Sequence, residues 1–389
     1  MKRNLLALAV GVAFILPLAA QAAPTVYGRL NLSVDYSDLD QNLPGVAGKS
    51  WDLNSNASRV GVKGNEKLTD EFTAVYKAEW EVQGDMKGQK GGADLTGRER
   101  YIGLKHYQLG TVRLGYIDSP LKNAEDSVDV FNDLVNLDMA NFLTAQTRLA
   151  NSINYVSPKF LDVFGANITI QPGESNPNSV NNFAGSGTPS PAPTPIPFAV
   201  TGNPNDSVAG EDHLADGISS AFSYEDDSLY LSFAMDKGIT TKLPVQVVQV
   251  YNATSGVASV ATIDQKRDAM RFGARYKMND FTVSAMIQQS EATNDKLGLG
   301  KLDEQAVVVS ASYNMDKLTF RGEVGMNNFD AGAGAEIDTT FIGGGIDYNF
   351  TSTTKAFGNL AMRKDEPSTA FGLKDVDSTY LGFGMETRF

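Results

Sequence analysis

Apolar and polar residues alternate along most of this 389-residue chain. Over 25–36, Val26, Gly28, Leu30, Leu32, Val34 and Tyr36 share one face, and Tyr27, Arg29, Asn31, Ser33 and Asp35 share the other. Over 71–83, Phe72, Ala74, Tyr76, Ala78, Trp80 and Val82 oppose Thr73, Lys77, Glu79 and Glu81, with Val75 as the exception. At the C-terminal end, Leu381, Phe383, Met385 and Phe389 oppose Tyr380, Glu386 and Arg388. Period-two alternation is the mark of a strand with one apolar face, and a helix would need three- and four-residue spacing instead. Sixteen such runs lie near 25–36, 57–66, 71–83, 97–107, 110–117, 151–157, 163–171, 216–225, 227–237, 265–278, 279–291, 303–315, 316–329, 338–350, 352–364 and 377–389. Most are about 10 residues long, the length a tilted strand needs to cross a bilayer.

The connections carry a second signal, because their lengths alternate. Short turns fall at 66–70, 107–110, 157–159, 225–228, 278–280, 314–317 and 350–352. Long polar loops fall at 37–56, 84–96, 118–150, 172–215, 238–264, 292–302, 330–337 and 365–376. A soluble sandwich has no reason to sort its loops by end, whereas outer-membrane barrels have short periplasmic turns and long external loops. Aromatic residues flank the turns: Tyr155, Phe160, Tyr224, Tyr230, Tyr276, Phe281, Tyr313, Phe320, Tyr348 and Phe350. Rings with a polar end favour the membrane boundary. The pattern predicts an all-β fold, a transmembrane antiparallel β-barrel of about sixteen strands.

The N-terminal residues change the picture by setting the compartment. Lys2 and Arg3 precede an uncharged apolar run, Leu5 to Leu16, and Ala20-Gln21-Ala22 has the A-x-A form of a cleavage site. This reads as a secretory signal peptide over 1–22, too short for a spanning helix. A single barrel domain over 23–389 is expected to remain. Removing Lys2 and Arg3 takes the net charge from −13 to −15 (−13 − 2), which disfavours nucleic acid as a partner. Cysteine is absent, so disulfide frameworks, thiol catalysis and Cys-based zinc sites are excluded. The Pro-rich tract at 185–205 reads as an exposed loop, since the strand rhythm resumes beyond it.

Several words in the sequence resemble the trimeric Gram-negative porins. They are Thr25-Val26-Tyr27-Gly28-Arg29-Leu30, Ser58-Arg59-Val60-Gly61-Val62-Lys63-Gly64, Arg98-Glu99-Arg100-Tyr101-Ile102-Gly103-Leu104-Lys105 with Gly110-Thr111-Val112-Arg113-Leu114-Gly115, and Arg148 with Asn151-Ser152-Ile153-Asn154-Tyr155-Val156-Ser157-Pro158. The terminal Phe389 resembles the signal read by barrel-assembly machinery. The Pro-Glu-Phe-Gly-Gly stretch of enterobacterial porins is missing, and the chain looks closer to porins of other proteobacteria. The resemblance implies a water-filled channel of the outer membrane, three chains per assembly, passing small hydrophilic solutes and ions by diffusion. It also implies that the third long loop, here 118–150, folds into the pore. Lipid and lipopolysaccharide are the expected surroundings.

Charge at the narrowest point of such a pore acts strongly, because a low-dielectric wall focuses the field. On the wall, Arg59 and Lys63 share the inward phase of the second run, with Arg29 and Lys77 on the polar faces of the first and third. The resemblance assigns Arg59, Arg98 and Arg148 to the basic side. Alternation from Ile102 and Leu104 puts Arg98 outward, so it requires a bulge or a loop position. On the inward loop, Asp126, Asp129 and Asp133 are spaced three and four apart, which aligns them if 124–135 is helical. Val128, Phe131 and Val135 then form the apolar face, and Asp118 and Glu125 add to the acidic side.

Catalytic constellations are poor. His106 and His213 are the only histidines, and no G-x-S-x-G or H-E-x-x-H occurs. Gly343-Gly344-Gly345 sits inside a strand run and reads as tight packing rather than a phosphate loop. No enzyme activity, cofactor or metal is expected. The readings carried forward are a general diffusion channel, an anion-preferring channel of the same architecture, and a surface adhesin on a barrel.

Overall fold

The structure is a computed structural model that describes residues 23–40, 48–85, 95–173, 213–242, 264–293, 302–330, 336–368 and 375–389. The signal segment 1–22 and the Pro-rich tract 185–205 lie outside the described residues. The strands are β1 (Thr25–Asp40), β2 (Lys49–Ser55), β3 (Arg59–Lys67), β4 (Phe72–Val82), β5 (Leu95–His106), β6 (Gly110–Asp118), β7 (Arg148–Val156), β8 (Phe164–Gln171) and β9 (Gly217–Glu225). They continue with β10 (Leu229–Lys242), β11 (Asp264–Met278), β12 (Phe281–Ala292), β13 (Asp303–Met315), β14 (Leu318–Asp330), β15 (Glu336–Asn349), β16 (Thr354–Pro367) and β17 (Val376–Arg388).

Each strand pairs antiparallel with its neighbours, and β17 closes on β1 from Arg29↔Arg388 to Asp40↔Asp377. Closure satisfies the backbone of every strand without an open edge, the condition for crossing lipid with strands. β2 and β3 both pair with β1, from Leu32↔Ser55 to Asp38↔Lys49 and from Thr25↔Lys63 to Arg29↔Arg59. They are two halves of one stave, so the barrel has sixteen. The break holds Asn56, Ala57 and Ser58, with Ala57 at φ 47°. The first long connection is therefore shorter than the 37–56 expected, because the ladder runs on through Asp40 and resumes at Lys49.

Burial is inverted relative to a soluble protein. Ile102 is 64 % exposed and Met385 57 %, whereas Arg267 is 1 % exposed and Arg271 0 %. Outward residues are apolar because lipid is their solvent, and inward residues are polar because they meet water or one another. The aromatics near the turns mostly point outward, including Tyr276, Tyr313, Phe320, Tyr348 and Phe350. Tyr230 departs from that expectation: it faces the lumen, where the Arg275 guanidinium lies 5.3 Å from the centre of its ring.

The connection between β6 and β7 supplies the interior core. Its Val128, Phe131, Leu134, Leu137, Met139, Phe142 and Leu143 pack on Met286, Ala306, Val308, Phe341, Phe357 and Ala361 of β12, β13, β15 and β16. Gly325, Gly343 and Gly345 are sockets for this loop. A Cβ at Gly325 would come within 2.9 Å of the Phe142 ring, and one at Gly343 within 2.8 Å of Phe131. The triple glycine is thus tight packing, in the form of a seat for Phe131.

The helix expected over 124–135 is absent. Only Pro120–Asn123 forms a short helix, α1, and Met139–Asn141 a 3-10 turn. Asp126 and Asp133 adopt φ of 48° and 71°, outside helical space. The aspartates themselves hold the alternative path. Asp129 accepts from the backbone N–H of Phe131 at 2.9 Å and of Met139 at 3.0 Å, and Asp138 from those of Asp133 and Ala140, each at 2.7 Å. Aspartate carboxylates compete in this way with helical hydrogen bonds. Val128 and Phe131 are buried as expected, but Val135 is half-exposed.

Candidate functional site in the lumen

The loop between β6 and β7 follows the inner wall from β9 round to β16, then reaches β1 and β3 with its tip. Ser127 Oγ lies 3.4 Å from Ser284 Oγ on β12, and the backbone N–H of Val130 donates to Glu323 on β14 at 3.1 Å. On the return leg, Glu304 of β13 accepts from both the N–H (2.9 Å) and the hydroxyl of Thr144. The same carboxylate accepts from Gln288 at 2.9 Å, Ser290 at 2.8 Å and Asn327 at 3.1 Å. A buried carboxylate needs such donors to offset its desolvation.

Between the loop and the wall of β1, β3, β4 and β5 lies a cavity of about 590 Å³. Its basic side chains are Arg29, Arg59, Lys77, Arg98, Lys122 and Arg388. Its acidic ones are Glu79, Glu99, Asp118, Glu125, Asp126 and Asp133. The centre of the contact is Asp133, whose Oδ2 accepts from Arg29 Nη2 at 2.7 Å and Arg59 Nη1 at 3.3 Å. Arg98 Nη2 lies 4.0 Å from its other oxygen. Burial opposes ionisation of Asp133, but Arg29, Arg59 and Arg98 outweigh it and hold the carboxyl below the usual range. Burial raises Asp129 well above that range, helped by Glu323, Asp138 and Glu125. Burial also raises Asp138, against the pull of Lys122.

Arg29 is positioned by the break between β2 and β3, which turns the carbonyls of Asn56 and Ala57 toward its Nη2 at 2.9 and 3.2 Å. Arg98 reaches the lumen through a bulge. Ala78 pairs with Arg100 and Trp80 with Gly97, so Arg98 and Glu99 together oppose one residue, Glu79. Arg98 then donates to Glu79 at 2.8 Å and Glu81 at 3.2 Å, while Lys77 reaches Glu99 at 2.6 Å. On the opposite wall Arg271 lies 3.3 Å from Glu125, and Arg275 pairs with Asp126.

Arg29, Arg59, Lys77 and Arg98 therefore come together with Asp118, Glu125, Asp126 and Asp133. Three other expected residues stand apart. Arg148 pairs with Asp118 at 2.8 Å where the loop returns to β7, and does not line the cavity. Lys63 lies two inward positions along β3 from Arg59, over the Tyr27 ring at 5.0 Å. Asp129 is spent on loop backbone. The acids do not face the arginines across a gap as one aligned row; Asp133 touches them, and Glu125 and Asp126 contact the far wall. Sequence reading overlooked Glu79, Glu99, Arg271 and Arg275, although all four are polar residues on inward phases. It also overlooked Glu304 and the socket at Gly325.

A family model of the Gram-negative porins matches residues 7–368. The chain belongs to the Gram-negative porin family. This porin is 24 % identical over 378 residues to the major outer membrane protein P.IB of Neisseria sicca, covering 94 % of each chain. It is 23 % identical to an outer membrane porin protein of Bordetella pertussis, over the whole of both. Its fold matches that of an anion-selective porin from Comamonas acidovorans with a TM-score of 0.66 at 17 % identity, covering 94 % of this chain and 99 % of that one. The porin is an outer-membrane protein, and its barrel forms a water-filled channel.

Proposed function

We propose that this channel passes small hydrophilic solutes and ions by passive diffusion with weak charge selectivity, and that the contact of Asp133 with Arg29, Arg59 and Arg98 is its constriction. The observation that carries the reading is the balance of the cavity, six basic side chains against six acidic ones. Paired charges orient polar solutes without excluding either sign of ion. Lys77, Asp118, Glu125 and Asp126 belong to the same constriction, and Arg148 and Lys63 lie at its margins. An anion-preferring channel is the second reading, favoured by the three arginines that converge on the single carboxylate of Asp133. The working form is a homotrimer in lipid and lipopolysaccharide, with Phe389 as the assembly signal; Phe389 closes the barrel by exchanging backbone hydrogen bonds with Gly28 at 2.9 and 3.1 Å. A channel rather than an enzyme is the reading throughout.

The test is single-channel conductance of the refolded chain in a planar bilayer under a salt gradient. Steps in groups of three and a reversal potential near zero are expected. A strongly positive or negative reversal potential overturns the weak-selectivity reading, and folded, inserted protein without conductance overturns the open channel.

A further inference from the structure

Most cations in this lumen are compensated. Toward the loop end, Arg98, Arg148, Arg271 and Arg363 each lie within ion-pair distance of a carboxylate. Two inward cations nearer the short turns differ. Lys63 on β3 and Arg113 on β6 have no carboxylate within ion-pair distance among the described residues. Each is held by an aromatic ring instead. Lys63 Nζ lies 5.0 Å from the centre of the Tyr27 ring, and the Arg113 guanidinium 5.0 Å from that of Tyr101. Arg113 is fixed further by Asn154, whose Oδ1 accepts from Nε at 2.9 Å and Nη2 at 2.6 Å. Cation–π contacts and a neutral amide orient a cation without cancelling its charge.

The wall makes room for both. A Cβ at Gly61 would come within 2.6 Å of the Tyr27 ring, and one at Gly103 within 3.0 Å of Arg113 Cγ. Between the two cations lies Lys77, paired with Lys63 across β3 and β4, and with Tyr101 across β4 and β5. Lys77 is compensated by Glu99 and Glu79. The inward face of β3 to β6 on the turn side thus carries two uncompensated positive charges that are held in place by rings, with Lys105 of β5 as a third cation that has no ion-pair partner among the described residues. The comparison with Arg275 is instructive: it stacks on Tyr230 in the same manner, but Asp126 and Glu225 neutralise it.

We infer that Lys63 and Arg113 form a strip for small anionic solutes on the turn side of the constriction, so that anions are favoured at one mouth of an otherwise charge-balanced pore. This rests on the chain being an open channel. A charge-balanced constriction with a positive strip on one side is an asymmetric fixed-charge profile, and such a profile conducts unequally at opposite voltages when salt does not screen it.

The test is the current–voltage curve of singly inserted channels in symmetric potassium phosphate, at about 0.03 M and about 1 M, where the screening lengths are roughly 20 and 3 Å. Wild-type currents at opposite voltages should differ at low salt, by about twofold, and become equal at high salt. Lys63→Gln with Arg113→Gln should abolish the difference and reduce the phosphate-to-potassium permeability ratio. Lys63→Arg with Arg113→Lys, which keeps both charges, should retain it. Lys67→Gln, at the turn end of β3 and paired with Asp70, should change nothing. Equal wild-type currents at low salt, or an asymmetry that survives the double glutamine variant, overturn the proposal. Absence of any conductance instead overturns the channel reading on which it rests.

Discussion

The wall from β10 to β16 and the wall from β1 to β6 are built from the same alternating strands, yet their inward faces differ. The first meets a loop, the second meets water. Against the loop, inward positions carry Met286, Val308, Phe341 and Phe357, with glycines where Phe131 and Phe142 press in. Facing the cavity, inward positions carry Arg29, Arg59, Lys77 and Arg98, each held by a charged partner. Alternation decides which side chains look inward. What stands on the other side decides their chemistry.

Breaking the covered side should give the largest effects. Phe131→Ala empties the seat over Gly343 and Gly345 and should cost about 3–4 kcal/mol, read as a lower midpoint of urea unfolding from lipid vesicles. Glu304→Ala leaves the donors of Thr144, Gln288, Ser290 and Asn327 without their acceptor. The cost should be about 2–3 kcal/mol, with noisier open-channel current as the return leg loosens.

On the open side, Asp133→Asn should leave the barrel folded, free the charge of Arg59 and leave Arg29 and Arg98 with one carboxylate fewer. The anion-to-cation permeability ratio should rise about threefold, read from the reversal potential. Arg148→Gln should shift it least, because Arg148 does not itself line the cavity and is held at its edge by Asp118.

Acidity should separate the two sides as well. The Asp133 pKa is lowered on docking, so its contribution is present above the ordinary carboxylate range and is lost only as pH falls below that range. Asp129 and Asp138 have raised values, so they favour the packed loop while protonated, and that contribution fades as pH rises through them. Open-channel noise should therefore be smallest near the ordinary carboxylate range, about pH 4, and grow toward both extremes. Noise that is flat with pH would show that these carboxyls do not hold the loop.

All sixteen staves were legible in the sequence, because period-two alternation and alternating connection lengths both follow from a bilayer with water at each end. The loop's path was not. Its acids were spaced for a helix, but three- and four-residue spacing cannot reveal that Asp129 and Asp138 bind backbone N–H groups and thereby forbid one. A signal was nevertheless present. Runs such as Val307-Val308-Val309 and Phe341-Ile342 break the alternation, and Val308 and Phe341 are the inward residues beneath the loop. Apolar residues at inward phases trace its footprint. The arginine contact was partly legible through Arg29, Arg59 and the bulge that Arg98 required, whereas its compensation by Glu79 and Glu81 depends on cross-strand register.

The central claim is that the loop between β6 and β7 stays on the β10–β16 wall in the conducting state. The chain has no cysteine, and Ser127 and Ser284 approach within 3.4 Å, so Ser127→Cys with Ser284→Cys can lock the loop in place. Single-channel conductance of the oxidised double variant should equal that of the reduced form and of the wild type. Failure of the disulfide to form, or a large change in conductance when it does, would contradict the account.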